Sequence, residues 1–209
     1  MKLSDLYINN KLRQVIVANE DAKIIYLRPP RTASTSIFRD FLEKKIVGFV
    51  DFKTNPNGYI KWSESLTNES LKEYFIFTSV RNPYDRTISM LWNKKLPIKK
   101  LDFLLNNYDN IFLDNDRNRM HIEPFSVLNF FKSEKQFDFE IRFESLEDDF
   151  KELCKLIQIK KKPLRVNMAS NGRKHYINYY DDKLIKIANK IYFNDFKFHN
   201  YKMVNSFCI

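Results

Sequence analysis

Two arginines and four hydroxyl side chains occupy nine consecutive residues near the start of the chain. Residues 28–36 read Arg-Pro-Pro-Arg-Thr-Ala-Ser-Thr-Ser. A mainly apolar run, residues 23–27, precedes them. Apolar residues follow them at helical spacing, namely Ile37, Phe38, Phe41 and Leu42. This order predicts a strand, a tight loop and a helix N-terminus. Backbone N–H groups, the positive end of the helix dipole, the guanidiniums and the hydroxyls can together hold an anion there.

A second strand-to-helix junction also carries anion-binding side chains. Residues 74–80 are typical of a buried strand, and Arg81-Asn-Pro-Tyr-Asp-Arg86 follows directly. Asn82 can cap a helix that begins at Pro83. Arg81 then lies at the carboxyl end of a strand, and Ser89 lies about two turns into the helix. Both side chains can face the crevice above a parallel sheet.

The first loop differs from the common phosphate loop of NTPases, which needs glycines and a lysine. The chain has only Gly48, Gly58 and Gly172. The loop resembles the 5′-phosphosulfate loop of sulfotransferases that use 3′-phosphoadenosine 5′-phosphosulfate (PAPS), most closely the Arg-x-Pro-Lys-Thr-Ala-Ser-Thr-Ser form of glycan 2-O-sulfotransferases. Arg31 stands where that form has Lys. The alternative is an ordinary polar turn.

The resemblance extends to the second junction, which looks like the 3′-phosphate motif of the same enzymes, an Arg and a Ser eight positions apart. This resemblance implies a set of PAPS-binding residues, and it implies that Arg31 is a catalytic cation. It also implies a basic loop over the 3′-phosphate, for which Asn171-Gly-Arg-Lys174 is the candidate. The implied donor-binding residues are Arg28, Arg31, Thr32, Ala33, Ser34, Thr35, Ser36, Arg81, Ser89, Arg173 and Lys174.

The base that deprotonates the acceptor has three candidates. The resembled enzymes usually place it between the two phosphate motifs, where this chain offers carboxylates such as Asp51 and Glu64. His121 lies beyond the second motif, in a segment that loosely resembles a His-x-x-Pro-Gln-Ser segment of glycan sulfotransferases. An imidazole has a pKa suited to neutral pH. His121 therefore ranks first by chemistry and Glu64 second by position.

Strands that alternate with helices predict the fold. The pattern predicts an α/β domain over residues 1–209, with a central parallel sheet covered by helices on both faces. The resemblance specifies the nucleotide-binding sulfotransferase fold related to P-loop proteins. Residues 14–17 are expected to form an antiparallel edge strand beside residues 23–27. Ser145-Leu-Glu-Asp148 is expected to open a helix as a capping box, and Phe143 is expected either near the adenine or in the core.

The net charge and the number of cysteines indicate which partners and which cellular compartment to expect. The formal charge of +10 favours anionic partners such as a nucleotide or an acidic glycan. Cys154 and Cys208 are too few for a disulfide framework. The sequence opens without a signal peptide pattern and has no apolar run of about 20 residues. A cytoplasmic location without a membrane span is expected. The residue pattern implies no metal.

The function predicted from these observations is transfer of a sulfuryl group from PAPS to an acceptor hydroxyl, and the forms of the motifs favour a carbohydrate as the acceptor. A peptide or small-molecule acceptor stays open, as does the oligomeric state. The main alternative is a non-catalytic domain that binds polyanions or nucleic acid, which would explain the charge and the Lys residues interleaved with aromatic ones. A kinase-like phosphotransferase is a third reading. Two ordered anion motifs at strand ends favour the enzyme and argue against nucleic acid as the partner.

Overall fold

The computed structural model describes residues 16–42, 49–51, 68–108, 122, 124, 137–160 and 172–205. Its strands are β1 (Ile16–Asn19), β2 (Ile24–Leu27), β3 (Phe49–Asp51), β4 (Phe75–Val80) and β5 (Phe139–Arg142). Its helices are α1 (Ser36–Leu42, wound as a π-helix), α2 (Asn68–Leu71), α3 (Pro83–Asn93), α4 (Lys100–Asn106), α5 (Leu146–Leu156), α6 (Asp182–Ile191) and α7 (Phe193–Phe198). Short 3₁₀ turns cover Phe143–Ser145 and Tyr176–Tyr179.

The five strands form one sheet in the order β3-β1-β2-β4-β5. Strands β2, β4 and β5 are parallel neighbours, with Tyr26 opposite Phe77 and Phe77 opposite Phe139. Strand β1 runs antiparallel to both β2 and β3. The α/β prediction is confirmed, and so is the antiparallel pairing of β1 with β2. The expectation that β1 forms the edge is wrong, because β3 pairs with its other side.

The chain divides into two compact units. One, the sheet unit, comprises Met1–Val80 and Asn129–Val166. The other, the helical unit, comprises Arg81–Leu128 and Asn167–Ile209. The expectation of a single domain over residues 1–209 stays a prediction.

One face of the sheet unit's sheet is covered by helices α1 and α5. Tyr26 and Phe77 stack on this face with ring centroids 4.5 Å apart. Buried residues from the helices join them, namely Ile37, Phe38, Leu42, Leu146, Phe150, Leu153 and Cys154. Residues that point the other way, such as Ile25 and Leu27, are buried as well. Burial on both faces explains why β2 and β4 are continuous apolar runs rather than alternating ones.

The helical unit is built around a tyrosine of α3, Tyr84, and two tyrosines that flank α6, Tyr180 and Tyr192. Tyr84 lies in van der Waals contact with Phe196 and Tyr180, and Tyr192 is also fully buried. Helix α3 begins as predicted, because the Asn82 side chain accepts a hydrogen bond from the Tyr84 N–H at 3.0 Å and Pro83 occupies the first turn. Burial of these aromatic rings supplies the unit's core.

Helix α5 begins where it was expected, but the capping box is wrong. Ser145 precedes the helix without capping it. Its hydroxyl donates instead to Asp149 Oδ2 at 2.8 Å, and the same oxygen accepts the Arg142 N–H at 2.7 Å. A carboxylate one turn further along thus ties the strand end to the helix.

Across the described residues, no helix combines the length and the apolar character that crossing a membrane requires.

Candidate functional site

The loop between β2 and α1 has a backbone that is rare for residues with side chains. Arg31 and Ala33 both have positive φ, at 72° and 62°, while Thr32 between them does not. Left-handed backbone costs a residue with a Cβ on the order of 1 kcal/mol. Alternating hands turn successive N–H groups into one concavity, which is a recurrent form of anion site.

The loop continues directly into a helix. Residues 34 and 35 are already helical, and the Ile37 N–H donates to the Ala33 carbonyl at 3.1 Å. The amides of a first helical turn have no acceptor within their own helix. They therefore extend the concavity of the loop with further donors.

A chain of three hydroxyls fastens this loop to the sheet. Thr32 Oγ1 donates to the Pro29 carbonyl at 2.8 Å, which uses its single proton. Ser79 must then donate to Thr32 at 2.7 Å, and Tyr26 must donate to Ser79 at 2.7 Å. All donors point in one direction, from Tyr26 to the loop. These hydrogen bonds fix the loop to two neighbouring strands, and they thereby offset the strain of the left-handed residues.

This chain changes the predicted role of Thr32. The Thr32 side chain is buried and its proton is committed to Pro29, so its hydroxyl cannot donate to an anion as well. Thr32 can contribute only its backbone N–H to an anion. Burial raises the pKa of the Tyr26 phenol, against smaller opposing effects of the Ser79 hydrogen bond and the Arg28 charge. The Tyr26 hydroxyl, which is the first donor in this series of hydrogen bonds, therefore stays protonated at neutral pH.

The other side chains of the loop differ in their contacts and exposure. Arg28 lies over the Phe38 ring, 4.4 Å from its centroid, which is a cation–π contact. Arg31 is half-buried. Ser34 and Ser36 are buried, whereas Thr35 is exposed.

In the helical unit, three residues one helical turn apart form a buried charged cluster. Arg81 Nε donates to Asp85 Oδ2 at 2.7 Å, and Arg81 Nη2 lies 2.7 Å from the same oxygen. Arg81 Nη1 donates to Ser89 Oγ at 3.1 Å. The predicted pair of Arg81 and Ser89 is therefore in direct contact. An oxygen ligand that lies beside both groups could interact with both at once.

The basic loop before α6 reaches the same cluster. Arg173 Nη1 lies 2.8 Å from Asp85 Oδ1, and its side chain is only 11% exposed. Gly172 precedes it with φ at 83°, a conformation that favours glycine. Lys174 is exposed, and its N–H donates to the Tyr179 hydroxyl at 3.0 Å. Of the two predicted cations of this loop, Arg173 joins Arg81 and Lys174 does not.

The candidate bases and Phe143 are the remaining predicted positions. Glu64 and His121 lie outside the described residues. Asp51 ends strand β3, where its backbone pairs with Val17. Phe143 begins a 3₁₀ turn and is half-buried. Among the residues that the structure describes, no group of three His, Cys, Asp or Glu side chains could hold a metal ion.

The sequence did not predict the contacts that Asp85 and Ser79 make. Asp85 lies in the first turn of α3, where a carboxylate complements the helix dipole, and it also contacts two guanidiniums. Its four-residue spacing from Arg81 is the signal that could have revealed the first of these contacts. Ser79 lies within a buried strand and has no comparable local signal. Its contacts to Tyr26 and Thr32 depend on the tertiary fold.

Comparison with known protein families identifies a match. The model of the sulfotransferase family matches residues 13–202, which include both anion motifs and the basic loop. No curated protein and no solved structure matches the chain. The match spans far more than half of the chain and covers every cluster described above. The chain belongs to the sulfotransferase family, and it is an enzyme that transfers sulfuryl groups.

Proposed function

We propose that the sulfuryl donor is PAPS and that the acceptor is a carbohydrate hydroxyl. The observation that carries the donor assignment is the contact between Arg81 and Ser89, with Arg173 drawn to the same cluster. Two guanidiniums and one carboxylate leave a net positive charge in a largely buried position. Such a cluster favours a phosphate, because charge-assisted hydrogen bonds are strong where water is excluded.

The proposal assigns the two phosphate-bearing ends of the donor to different residues. The 3′-phosphate is bound by Arg81, Ser89 and Arg173. The 5′-phosphosulfate is bound by the loop, through the N–H groups of residues 32–36 and the side chains of Arg28 and Arg31. Lys174 adds positive charge at the exposed end of the basic loop.

The transfer step follows from the chemistry of a phosphosulfate, which is a mixed anhydride of sulfate and phosphate. The acceptor oxygen attacks sulfur, a new S–O bond forms, and the S–O bond to the 5′-phosphate breaks. The electron pair of the broken bond stays on the leaving phosphate, and the acceptor proton passes to a base. Arg31 and the loop amides stabilise the charge that gathers on the leaving group, as donors do in phosphoryl transfer. The products are adenosine 3′,5′-bisphosphate and a sulfated acceptor.

A calorimetric titration tests the donor. Adenosine 3′,5′-bisphosphate should bind tightly and keep its affinity in moderate salt. ATP and single-stranded DNA should bind far more weakly. Tight, strongly salt-dependent binding of DNA would instead support the polyanion-binding alternative. Tight binding of ATP alone would support a phosphotransferase.

Labelled PAPS tests the acceptor. The enzyme is incubated with glycans, phenols and peptides, and the label is expected in the glycans. Labelling of phenols or peptides alone would overturn the carbohydrate assignment while leaving the donor assignment intact. The cytoplasmic location stays a prediction.

The base is proposed to be His121, with Glu64 and Asp51 as the alternatives. Turnover of His121→Ala, Glu64→Gln and Asp51→Asn is compared at saturating PAPS. General-base catalysis contributes about a hundredfold or more, so loss of the base should lower kcat by that factor while affinity for the bisphosphate holds. An unchanged kcat in His121→Ala would remove that residue from the mechanism.

A further inference from the structure

The contact that unites the cluster of the helical unit is made by a carboxylate, although the proposed ligand is itself an anion. Asp85 Oδ2 binds Arg81, while Asp85 Oδ1 lies 2.8 Å from Arg173. The carboxylate thus uses one oxygen for each guanidinium. Residues far apart in the sequence are brought together by this single side chain.

A negative charge beside a phosphate site is costly unless it does something else. Its repulsion would weaken the binding of any anion, and a buried carboxylate also loses hydration. Helix α3 does not need Asp85 as a cap, because Asn82 caps it. The role left for Asp85 is to hold the two guanidiniums in place.

We infer that Asp85 is a positioning residue that makes the site selective for a 3′-phosphorylated nucleotide. By holding Arg81 along its Nε–Nη2 edge, Asp85 fixes Nη1 beside Ser89. By holding Arg173, it brings the second cation to the same place. This inference rests on the proposed function, since it concerns the 3′-phosphate of the same donor.

Preorganisation is the physical reason for selectivity. A long arginine side chain loses rotamer freedom when it binds a ligand, and that cost is reduced if a neighbouring carboxylate already holds it. A nucleotide with a 3′-phosphate benefits from both positioned cations. A nucleotide without that group gains nothing from them. Asp85 should therefore affect the preference between the two nucleotides more than the affinity for nucleotides in general.

The experiment measures the affinity for adenosine 3′,5′-bisphosphate and for adenosine 5′-monophosphate in the full-length protein. The preference is the ratio of the two dissociation constants. In the wild type we expect a preference of about a hundredfold for the bisphosphate, because a desolvated phosphate contact of this kind is worth a factor of that order. In Asp85→Asn the preference should fall about tenfold.

Asp195→Asn is the matched control. Asp195 is another buried carboxylate of the helical unit, and it lies 3.8 Å from one guanidinium nitrogen, that of Arg86. Its loss should lower the thermal stability but leave the preference unchanged. A fall in preference in both variants would mean that general loosening is the cause, and it would overturn the inference.

The outcomes separate the inference from the proposed function. A wild type that does not prefer the bisphosphate contradicts the 3′-phosphate assignment, and the inference falls with it. A wild type with a clear preference that Asp85→Asn keeps or increases overturns the inference alone. If Asp85→Asn does not fold, Asp85→Glu keeps the charge and displaces it by one methylene. The preference of Asp85→Glu should then fall about threefold, and an unchanged value would overturn the inference.

Discussion

The two regions to which we assign anion binding in this enzyme are built in different ways. The loop of the sheet unit is held by neutral hydroxyls, from Tyr26 through Ser79 to Thr32, and it keeps two residues in left-handed backbone. The cluster of the helical unit is held by charges, with Asp85 between Arg81 and Arg173. One region fixes the shape of a backbone, and the other fixes the direction of side chains.

The difference matches the tasks that we assign to them. A group that leaves during the reaction changes its charge, so its binding residues must be in place before that charge develops. A rigid backbone concavity meets this need. A 3′-phosphate keeps its charge throughout and has only to be bound. The loop should therefore govern turnover, while the cluster should govern affinity.

The largest expected effect is that of Arg31→Ala on turnover. Removal of one donor from a developing oxyanion typically lowers kcat by about a hundredfold to a thousandfold. Affinity for adenosine 3′,5′-bisphosphate should change much less. Arg31→Lys is the matched control and should keep substantial activity, because the related loop form has Lys. Steady-state kinetics with PAPS measures both effects, and an Arg31→Ala enzyme with weakened binding but normal kcat would break the comparison.

Arg81→Ala should show the opposite pattern. Loss of a charged contact to a desolvated phosphate should weaken bisphosphate binding by about 2–4 kcal/mol. Ser89→Ala removes a neutral hydroxyl from the same pair and should cost only about 1 kcal/mol. Calorimetry measures both. If both variants bind the bisphosphate like the wild type, the 3′-phosphate is bound elsewhere.

The sequence pattern singled out the residues of both regions, but it did not predict the contacts that hold them in place. The Arg81, Asn82 and Ser89 assignments rest on spacing along one helix, which is a local property. The contact between Thr32 and Ser79 joins residues 47 positions apart. Such a contact exists only once β2 and β4 are neighbours in the sheet. Local patterns cannot show which of several buried hydroxyls will meet.

The fold shows the same division. The apolar runs of β2 and β4 and the cap of α3 were read correctly, because composition and capping residues determine them locally. The edge position of β1 was wrong, since β3 has only three residues, which is too short for a clear periodic pattern in the sequence. The capping box of α5 was wrong because Asp149 competes for the Ser145 hydroxyl.

Ser79→Ala tests the hydroxyl chain. Without Ser79, the buried Tyr26 hydroxyl loses the acceptor that it uses in the wild type, and Thr32 loses a donor. An unsatisfied buried hydroxyl costs about 1–3 kcal/mol, so the free energy of unfolding should fall by about 2 kcal/mol. Urea denaturation measures this.

Tyr26→Phe combined with Ser79→Ala is the control for this prediction. The double variant removes both partners, so it should be less destabilised than the sum of the two single variants. Additive effects would mean that the two hydroxyls do not act together. A loss of turnover in Ser79→Ala with unchanged bisphosphate affinity would further support the assignment of the loop to the reaction step.

The smallest expected effect is on stability in alkali, and it uses the buried tyrosines of both units. Burial is the main cause that raises the pKa of Tyr192 to about 12 from 10.0, although the nearby Arg86 charge opposes it. Burial likewise raises the pKa of Tyr26.

Between pH 10 and 12 the unfolded chain therefore loses phenolic protons that the folded chain keeps. The folded state then binds more protons, so its stability must fall as the pH rises. For Tyr192 alone the loss should be on the order of 1 kcal/mol by pH 11. Urea denaturation at several pH values should show a shallower decline for Tyr192→Phe and for Tyr26→Phe than for the wild type, since each variant lacks one of the buried phenols. A decline as steep as in the wild type for one variant only would show that the phenol of that unit already ionises in the folded protein.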